Sequence, residues 1–375
     1  LLLAPAVLIW LAWQHHATIG AIFALAVLTA SSLTGTALGS REIHGHYFGP
    51  THPGSAAAAI ESEAEWLWLG AVGSDEATIV AGGLPASVEA SLTHWSTGDE
   101  RREVTATADQ DGIARFELAG LAPDTTYEYR VDVPDRTPDD DQADRSFRTF
   151  EQGPQDLVVI AASCARAGSN GAVFDQIVAA DPDLYLSIGD MHYADLESTD
   201  PADHLAQYAK ALSQPGQAAL YGSIPTAYVW DDHDYGPNDA DGSSPSRLAV
   251  STAYRQAVPH YGVDPDPDAP IAQAFTVGRV RFVLADTRSQ RSAESMLGSG
   301  QLEWLIEELI DSSRSHALVV WANPTPWIVE GSGSGDDWSS HPDERRRIAD
   351  ALAEAEVDNL VMVSGDAHMV AIDDG

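Results

Sequence analysis

Short apolar runs, alternating with polar positions and punctuated by Gly, Asp and Pro, fill residues 64–150: WLWLGAV, ATIVAG, VEASLTHWS, REVTATA, GIARFELAG, TYEYRVDV and RSFRTF. Period-two alternation between turn residues predicts strands, and strands this short and closely spaced predict a small all-β sandwich. From residue 156 the pattern changes. DLVVIAA, LYLSIG, PTAYVW, IAQAFTV, VRFVLAD, ALVVWAN and NLVMVSG have the apolar content of buried strands. Between several of them lie AVFDQIVAA, HLAQYAKAL, GQLEWLIEELIDSS and HPDERRRIADALAEA, whose apolar residues recur at helical spacing. Strands alternating with amphipathic helices predict a layered α/β domain over 151–375. The stretch IAQAFTVGRVRFVLAD predicts a hairpin turned at Val277–Gly278, and therefore mixed sheets.

The N-terminal pattern is different again. Residues 1–40 contain no Asp, Glu, Lys or Arg, and ATIGAIFALAVLTASSLTGTALG continues for 23 residues. A helix of that length crosses a hydrocarbon core of ~30 Å. One or more transmembrane segments are therefore expected in 1–40, with a juxtamembrane linker over 41–63 and the remaining chain membrane-anchored outside the cytoplasm. His44, His46 and His52 in the linker are read as solvated rather than metal-bound.

Charge narrows the partners. Asp and Glu outnumber Lys and Arg by 57 to 20, Lys210 is the sole lysine, and the formal charge is −37. No basic surface for nucleic acid is expected from such a chain. Lysine scarcity combined with this charge points to a protein working in high salt, where screening relieves self-repulsion. With Cys164 as the single cysteine, no intrachain disulfide can form.

Candidate chemistry falls repeatedly just past the predicted strands. VVIAASCAR delivers Cys164 and Arg166, and LYLSIGDMHYAD delivers Asp190, His192, Tyr193 and Asp195. TAYVWDDHDYGPND delivers Asp231, Asp232, His233, Asp234, Asn238 and Asp239. VRFVLADTRSQR ends on Asp286, Arg288 and Arg291, and NLVMVSGDAHM on Asp366 and His368. In layered α/β domains, functional loops follow the carboxyl ends of strands. Carboxylates this dense repel one another unless cations lie among them. Several carboxylates with a histidine, and with a thiolate or phenolate, would hold two or more cations, Asp190 being the natural bridge. Such a pair lowers the pKa of a water and clamps the oxygens of a phosphoryl group. Arg166 or Arg288 would bind phosphate bidentately, and His233 is the best candidate to protonate a leaving alkoxide.

The order SC … GDMHYAD … WDDHD … N … DTR … DDWSSHPDER … SGDAH resembles the PhoD-like alkaline phosphatases of the metallophosphoesterase superfamily, over about 155–375. LAPDTTYEYRV (121–131) likewise resembles the L-x-P-x-T-x-Y segment of fibronectin type III domains, with Tyr127 at the tyrosine-corner position. The first resemblance implies a four-layer core of two mixed sheets flanked by helices, and an iron–calcium centre. It implies Cys164 as a thiolate ligand to iron, Asp190 as the bridge and Tyr193 as a phenolate to the ferric ion. Asp231 or Asp232 would be a ligand, Asn238 a calcium ligand, and Asp366 and His368 would complete the site. His233 would stand near the leaving oxygen, with Arg166 on the phosphate and Arg288 organising the ligands. A core of this family runs on through further strands, so the 151–375 domain is expected to continue past residue 375.

The activity so implied is release of phosphate from small-molecule phosphomonoesters or phosphodiesters at the cell surface. The alternatives are a phosphodiesterase directed at phospholipid or polymer, and a non-catalytic surface binding protein built on the sandwich domain. The second alternative requires a decayed site, whereas Cys164, Asp190, Tyr193, His233 and His368 are all present. GSGSGDDWSS (331–340) is read as a mobile loop near the pocket.

Overall fold

The computed structural model describes residues 64–134, 145–168, 171–328 and 335–373, together with the backbone of two short strands near the N-terminus, β1 (Leu8–Trp10) and β2 (Phe23–Leu28). The sandwich comprises β3 (Trp66–Gly70), β4 (Glu76–Gly82), β5 (Glu89–Trp95), β6 (Arg102–Thr107), β7 (Ala114–Ala119), β8 (Thr126–Asp132) and β9 (Arg145–Arg148). The layered part comprises β10 (Leu157–Ala162), β11 (Leu184–Ile188), β12 (Thr226–Val229), β13 (Gln273–Val277), β14 (Val280–Leu284), β15 (Leu318–Asn323) and β16 (Leu360–Ser364). Its helices are α1 (Gly171–Ala179), α2 (Pro201–Leu212), α3 (Pro215–Tyr221), α4 (Asp232–Tyr235), α5 (Arg247–Ala257), α6 (Gly298–Ser315) and α7 (Pro342–Glu354).

Three sheets organise these elements. One runs β1-β2-β10-β11-β12-β3-β4-β7, a second runs β13-β14-β15-β16, and β6-β5-β8-β9 closes the sandwich. Strands β10, β11 and β12 pair in parallel, and so do β14, β15 and β16, while β13–β14 is the predicted antiparallel hairpin. Every residue of β11 and β12 is buried, as parallel strands covered on both faces require. Helix α6 buries Gln301, Leu302, Leu305, Leu309 and Ser312, a stripe at helical spacing, against the second sheet. With Trp321, Trp338, Ile348 and Leu352 these leucines form a core of their own. A larger core joins the sandwich to the first sheet.

The sandwich is bonded directly to the layered part. Strand β3 continues the first sheet beside β12, with Gly70 opposite Thr226. The buried Tyr129 hydroxyl donates to the Gly222 carbonyl at 2.6 Å, and Arg115 Nη2 donates to the Val258 carbonyl at 2.7 Å. Tyr127 adopts the corner arrangement its motif predicts, its hydroxyl accepting the Ala122 N–H at 2.8 Å.

The predicted membrane segment gains no support. No helix among the described residues is long and apolar enough to cross a membrane. Phe23–Leu28, inside the run expected to be a spanning helix, is instead a strand parallel to β10. An uncharged apolar stretch suits a strand covered on both faces as well as it suits a membrane, so periodicity alone does not separate the two. The rest of 1–40 and the 41–63 linker, with His44, His46 and His52, lie outside the described residues.

Candidate metal centre

Several of the strand-end residues converge. Cys164 follows β10, Asp190 follows β11, Asp231 to Asp234 follow β12, and Asp366 and His368 follow β16. Three overlapping groups of ligand atoms each gather within 4.8 Å: Cys164, Asp190 and His368; Asp190, Asp232 and His233; and Asp190, Asp231, Asp232 and Asp366. A fourth group joins Asp232 to Asp239 and Asp336.

Local backbone geometry produces this convergence. Cys164, Asp190, Asp366 and His368 have φ of 60°, 56°, 61° and 49°, in the left-handed region that non-glycine residues rarely enter. Held conformations of this kind cluster at functional sites and persist because surrounding structure enforces them. Two glycines let the loops close. A Cβ on Gly189 would stand 2.4 Å from Asp231 Cβ, and one on Gly365 would stand 2.6 Å from the Ile188 carbonyl oxygen. The glycine before each of Asp190 and Asp366 thus sets how closely neighbouring carboxylates approach.

The carboxylates fit cations on structural grounds. Asp190 Oδ1, Asp231 Oδ2 and Asp232 Oδ1 are buried without a hydrogen-bond partner. Orphaned buried oxygens are rare in folded proteins and call for an ion or water. Burial, then repulsion from Asp231, Asp234 and Asp232, pushes the Asp190 carboxyl well up. Burial also pushes Asp231 up, against the opposing pull of Arg288. Burial lifts Asp366 to about 6. Burial would raise Asp232 too, yet the charges of Arg288 and His233 outweigh it and hold this carboxyl below its ordinary range. Burial and the Asp190 charge together raise the Cys164 thiol.

These directions give the cation-free protein a pH dependence of defined sign. A carboxyl whose folded pKa is raised leaves the unfolded chain with fewer protons, so stability falls as pH climbs from 3.8 through the raised value. Moving one carboxyl from 3.8 to about 6 corresponds to at most about 3 kcal/mol. The chelated protein in high salt, which screens surface repulsion, is expected to melt higher at pH 5 than at pH 8. Cation loading should remove or reverse that order, and scanning fluorimetry at the two pH values tests both.

Tyr193 lies at the junction of the site. Its hydroxyl donates to Asp190 Oδ2 at 3.0 Å and is 2.9 Å from His368 Nε2. His233 packs on the Tyr193 ring, centroids 4.3 Å apart, and its Nδ1 is 2.5 Å from Asp195 Oδ1. Donation of Nδ1–H to that carboxylate fixes the ring's orientation and leaves Nε2 as its remaining nitrogen. Arg166 is exposed two residues past Cys164, and Asn238 is exposed at the rim beside Asp239.

Arg288, considered for phosphate contact, is wholly buried. Its Nε donates to Asp231 Oδ1 at 2.5 Å, while Nη1 and Nη2 donate to the two oxygens of Asp336 at 2.8 and 2.9 Å. A guanidinium committed in this way organises ligands and does not reach a substrate. The loop read as mobile supplies that clamp: over its described part, Asp336, Asp337 and Trp338 are buried, and Arg291 also donates to Asp336. His192 is buried against Tyr208, and burial lowers it to about 3. Asp286 caps its own loop, accepting Trp230 Nε1–H and the Arg288 and Ser289 N–H groups.

Sequence reasoning named Asp234 and Asp195 without giving either a role, and did not single out Asp336. Buried Asp234 accepts the N–H groups of His192 and Asp231, tying the Asp190 loop to the Asp231 loop. Asp195 closes the same GDMHYAD run as Asp190 and Tyr193, which was the available signal. For Asp336 the signal was an acidic pair set directly before Trp338 in a Gly-Ser stretch.

Mixed sheets that deliver carboxylates, imidazoles and a thiol from their strand ends to one point define a metallophosphatase-type α/β architecture. The PhoD-like phosphatase family model matches residues 157–374, more than half of the chain, and the chain belongs to that family. Alkaline phosphatase D of Bacillus subtilis (strain 168) is 25% identical over 203 residues, 44% of this chain and 35% of that protein. The chain thus spans about a third of the length of this curated relative. A solved structure of PhoD superposes with a TM-score of 0.72 at 19% identity, covering 84% of this chain and 73% of the other. Purple acid phosphatase PPD1 from yellow lupin (Lupinus luteus) seeds superposes at 0.57 with 13% identity, covering 79% and 57%. At these identities the two structures establish the fold.

Proposed function

We propose that this chain is a metal-dependent phosphoester hydrolase that releases phosphate from small phosphomonoesters, phosphodiesters or both. The observation that carries this reading is the set of buried, unpartnered oxygens on Asp190, Asp231 and Asp232, three carboxylates that share ligand groups with Asp366 and, through Asp190, with Cys164, His368 and the Asp195-held His233. Cys164, Tyr193, Asp190 and His368 would hold iron, because thiolate and phenolate donors suit a ferric ion. The all-oxygen group Asp190, Asp231, Asp232 and Asp366, with Asn238 at the rim, would hold calcium. Bound cations supply an acidified water and neutralise phosphoryl oxygens.

The chain's own groups do the rest. Arg166 contacts the phosphate from the exposed rim, its charge offsetting the ester's. His233 Nε2 carries the proton given to the leaving alkoxide, with Asp195 holding the ring so that this nitrogen faces substrate. Work in high salt is part of the proposal, supported by the −37 charge; placement outside the cytoplasm rests on the uncharged run of 1–40 alone. The test is metal analysis of the purified chain in high salt, with hydrolysis of 4-nitrophenyl phosphate and bis(4-nitrophenyl) phosphate before and after chelation. Iron with calcium, and turnover that chelation removes, is the expected result. Turnover indifferent to chelation, or a metal-free inactive chain, overturns the reading.

A further inference from the structure

Arg288 presents a problem that its burial makes acute. A guanidinium beside a cation centre competes with the cation for the same carboxylates. Its reach is short: Nη2 is 3.8 Å from Asp232 Oδ1, and Nε already touches Asp231 Oδ1. Yet Asp231 Oδ2 and Asp232 Oδ1 remain without a hydrogen-bond partner. The reason lies 48 residues further along the chain. Asp336 takes the Nη1–Nη2 fork with both of its oxygens, a planar bidentate match that lysine could not make. Arg291 adds a second donor to Asp336 Oδ1 and also donates to the Gly335 carbonyl, holding Asp336 in place.

We propose that Asp336 is a positioning residue of the metal centre: by holding the Arg288 fork it keeps this arginine off the cation-facing oxygens of Asp231 and Asp232. Arg288 then hydrogen-bonds the cluster through Nε alone, while its charge still acts on both Asp231 and Asp232. The inference rests on reading these carboxylates as a cation centre, and it gives the DDWSS segment a role that the catalytic reading does not.

A double-mutant cycle on the full chain tests it, with manganese(II) binding to the chelated protein measured by calorimetry. Asp336→Asn should weaken manganese binding at least ~10-fold, because the released fork turns to Asp232 and to the free oxygen of Asp231. Adding Arg288→Met to that variant should recover ~5-fold or more, since the competing cation is gone. A merely structural role predicts the opposite, a second loss on top of the first. Asp336→Glu keeps the charge and moves the fork by one methylene. Should the Asn variant not fold, weakening by Asp336→Glu that Arg288→Met reverses supports the proposal equally. Unchanged manganese affinity in the folded Asp336 variant overturns it, as does a double variant no tighter than the single. A wild-type chain that binds no manganese removes the cation-centre reading itself, an outcome distinct from either.

Discussion

His233→Ala is expected to lower kcat by about 10²–10⁴-fold while iron and calcium content stays at the wild-type level. The geometry gives the reason. Nδ1 is committed to Asp195, so the ring meets substrate through Nε2 alone, and the Tyr193 face against it limits its rotation. Proton donation to the leaving alkoxide is then the step lost, and the loss should be largest for substrates with poor leaving groups. Activated nitrophenyl esters need less help and should be affected less. Asp195→Asn should produce a smaller loss of the same kind, since an amide can hold the ring but does not stabilise its protonated form. His233 also falls within ligand distance of Asp190 and Asp232, so metal content is the deciding measurement. Loss of cations along with turnover would make His233 a ligand and withdraw its role as proton donor.

Much of this site was legible because strand ends are legible. Each of β10, β11, β12, β14 and β16 is a short apolar run that breaks onto a polar cluster, and the break itself marks where each strand stops. The four amphipathic helices were visible for the same reason. Helices α3 and α5 were not: PGQAALY is too short to show a period, and the buried stripe of RLAVSTAYRQA is half alanine, too weakly apolar to stand out. What sequence could not supply was pairing across the fold. His233 meets Asp195 over a separation of 38 residues, and Arg288 meets Asp336 over 48. Separations of that size are set by sheet order and loop closure, for which a single sequence has no period. The same limit explains why the 331–340 loop was read from its Gly-Ser composition while Trp338, buried in the second core, anchors its far end.

Asp190→Asn should have effects of opposite sign on function and on the stability of the cation-free protein. Asp190 belongs to three of the four groups that can hold a cation among the described residues, which is what a bridging ligand requires. An amide keeps the shape of the carboxyl and its contact with the Tyr193 hydroxyl, but removes the charge. Cation content should fall at least ~10-fold and phosphoester turnover by ~10³-fold or more, since both depend on the bridge. The chelated variant, by contrast, should melt a few degrees higher than chelated wild type at pH 8. Burial and three neighbouring carboxylates oppose the ionised Asp190, and an uncharged side chain there ends that opposition. At pH 5 the gain should shrink, because the raised Asp190 carboxyl moves toward its protonated, uncharged form as pH falls. Melting curves of both chelated proteins at the two pH values measure the effect. A variant less stable than wild type at pH 8 would mean that the Asp190 carboxylate is already compensated within the chain, and that its orphaned oxygen does not point to a cation.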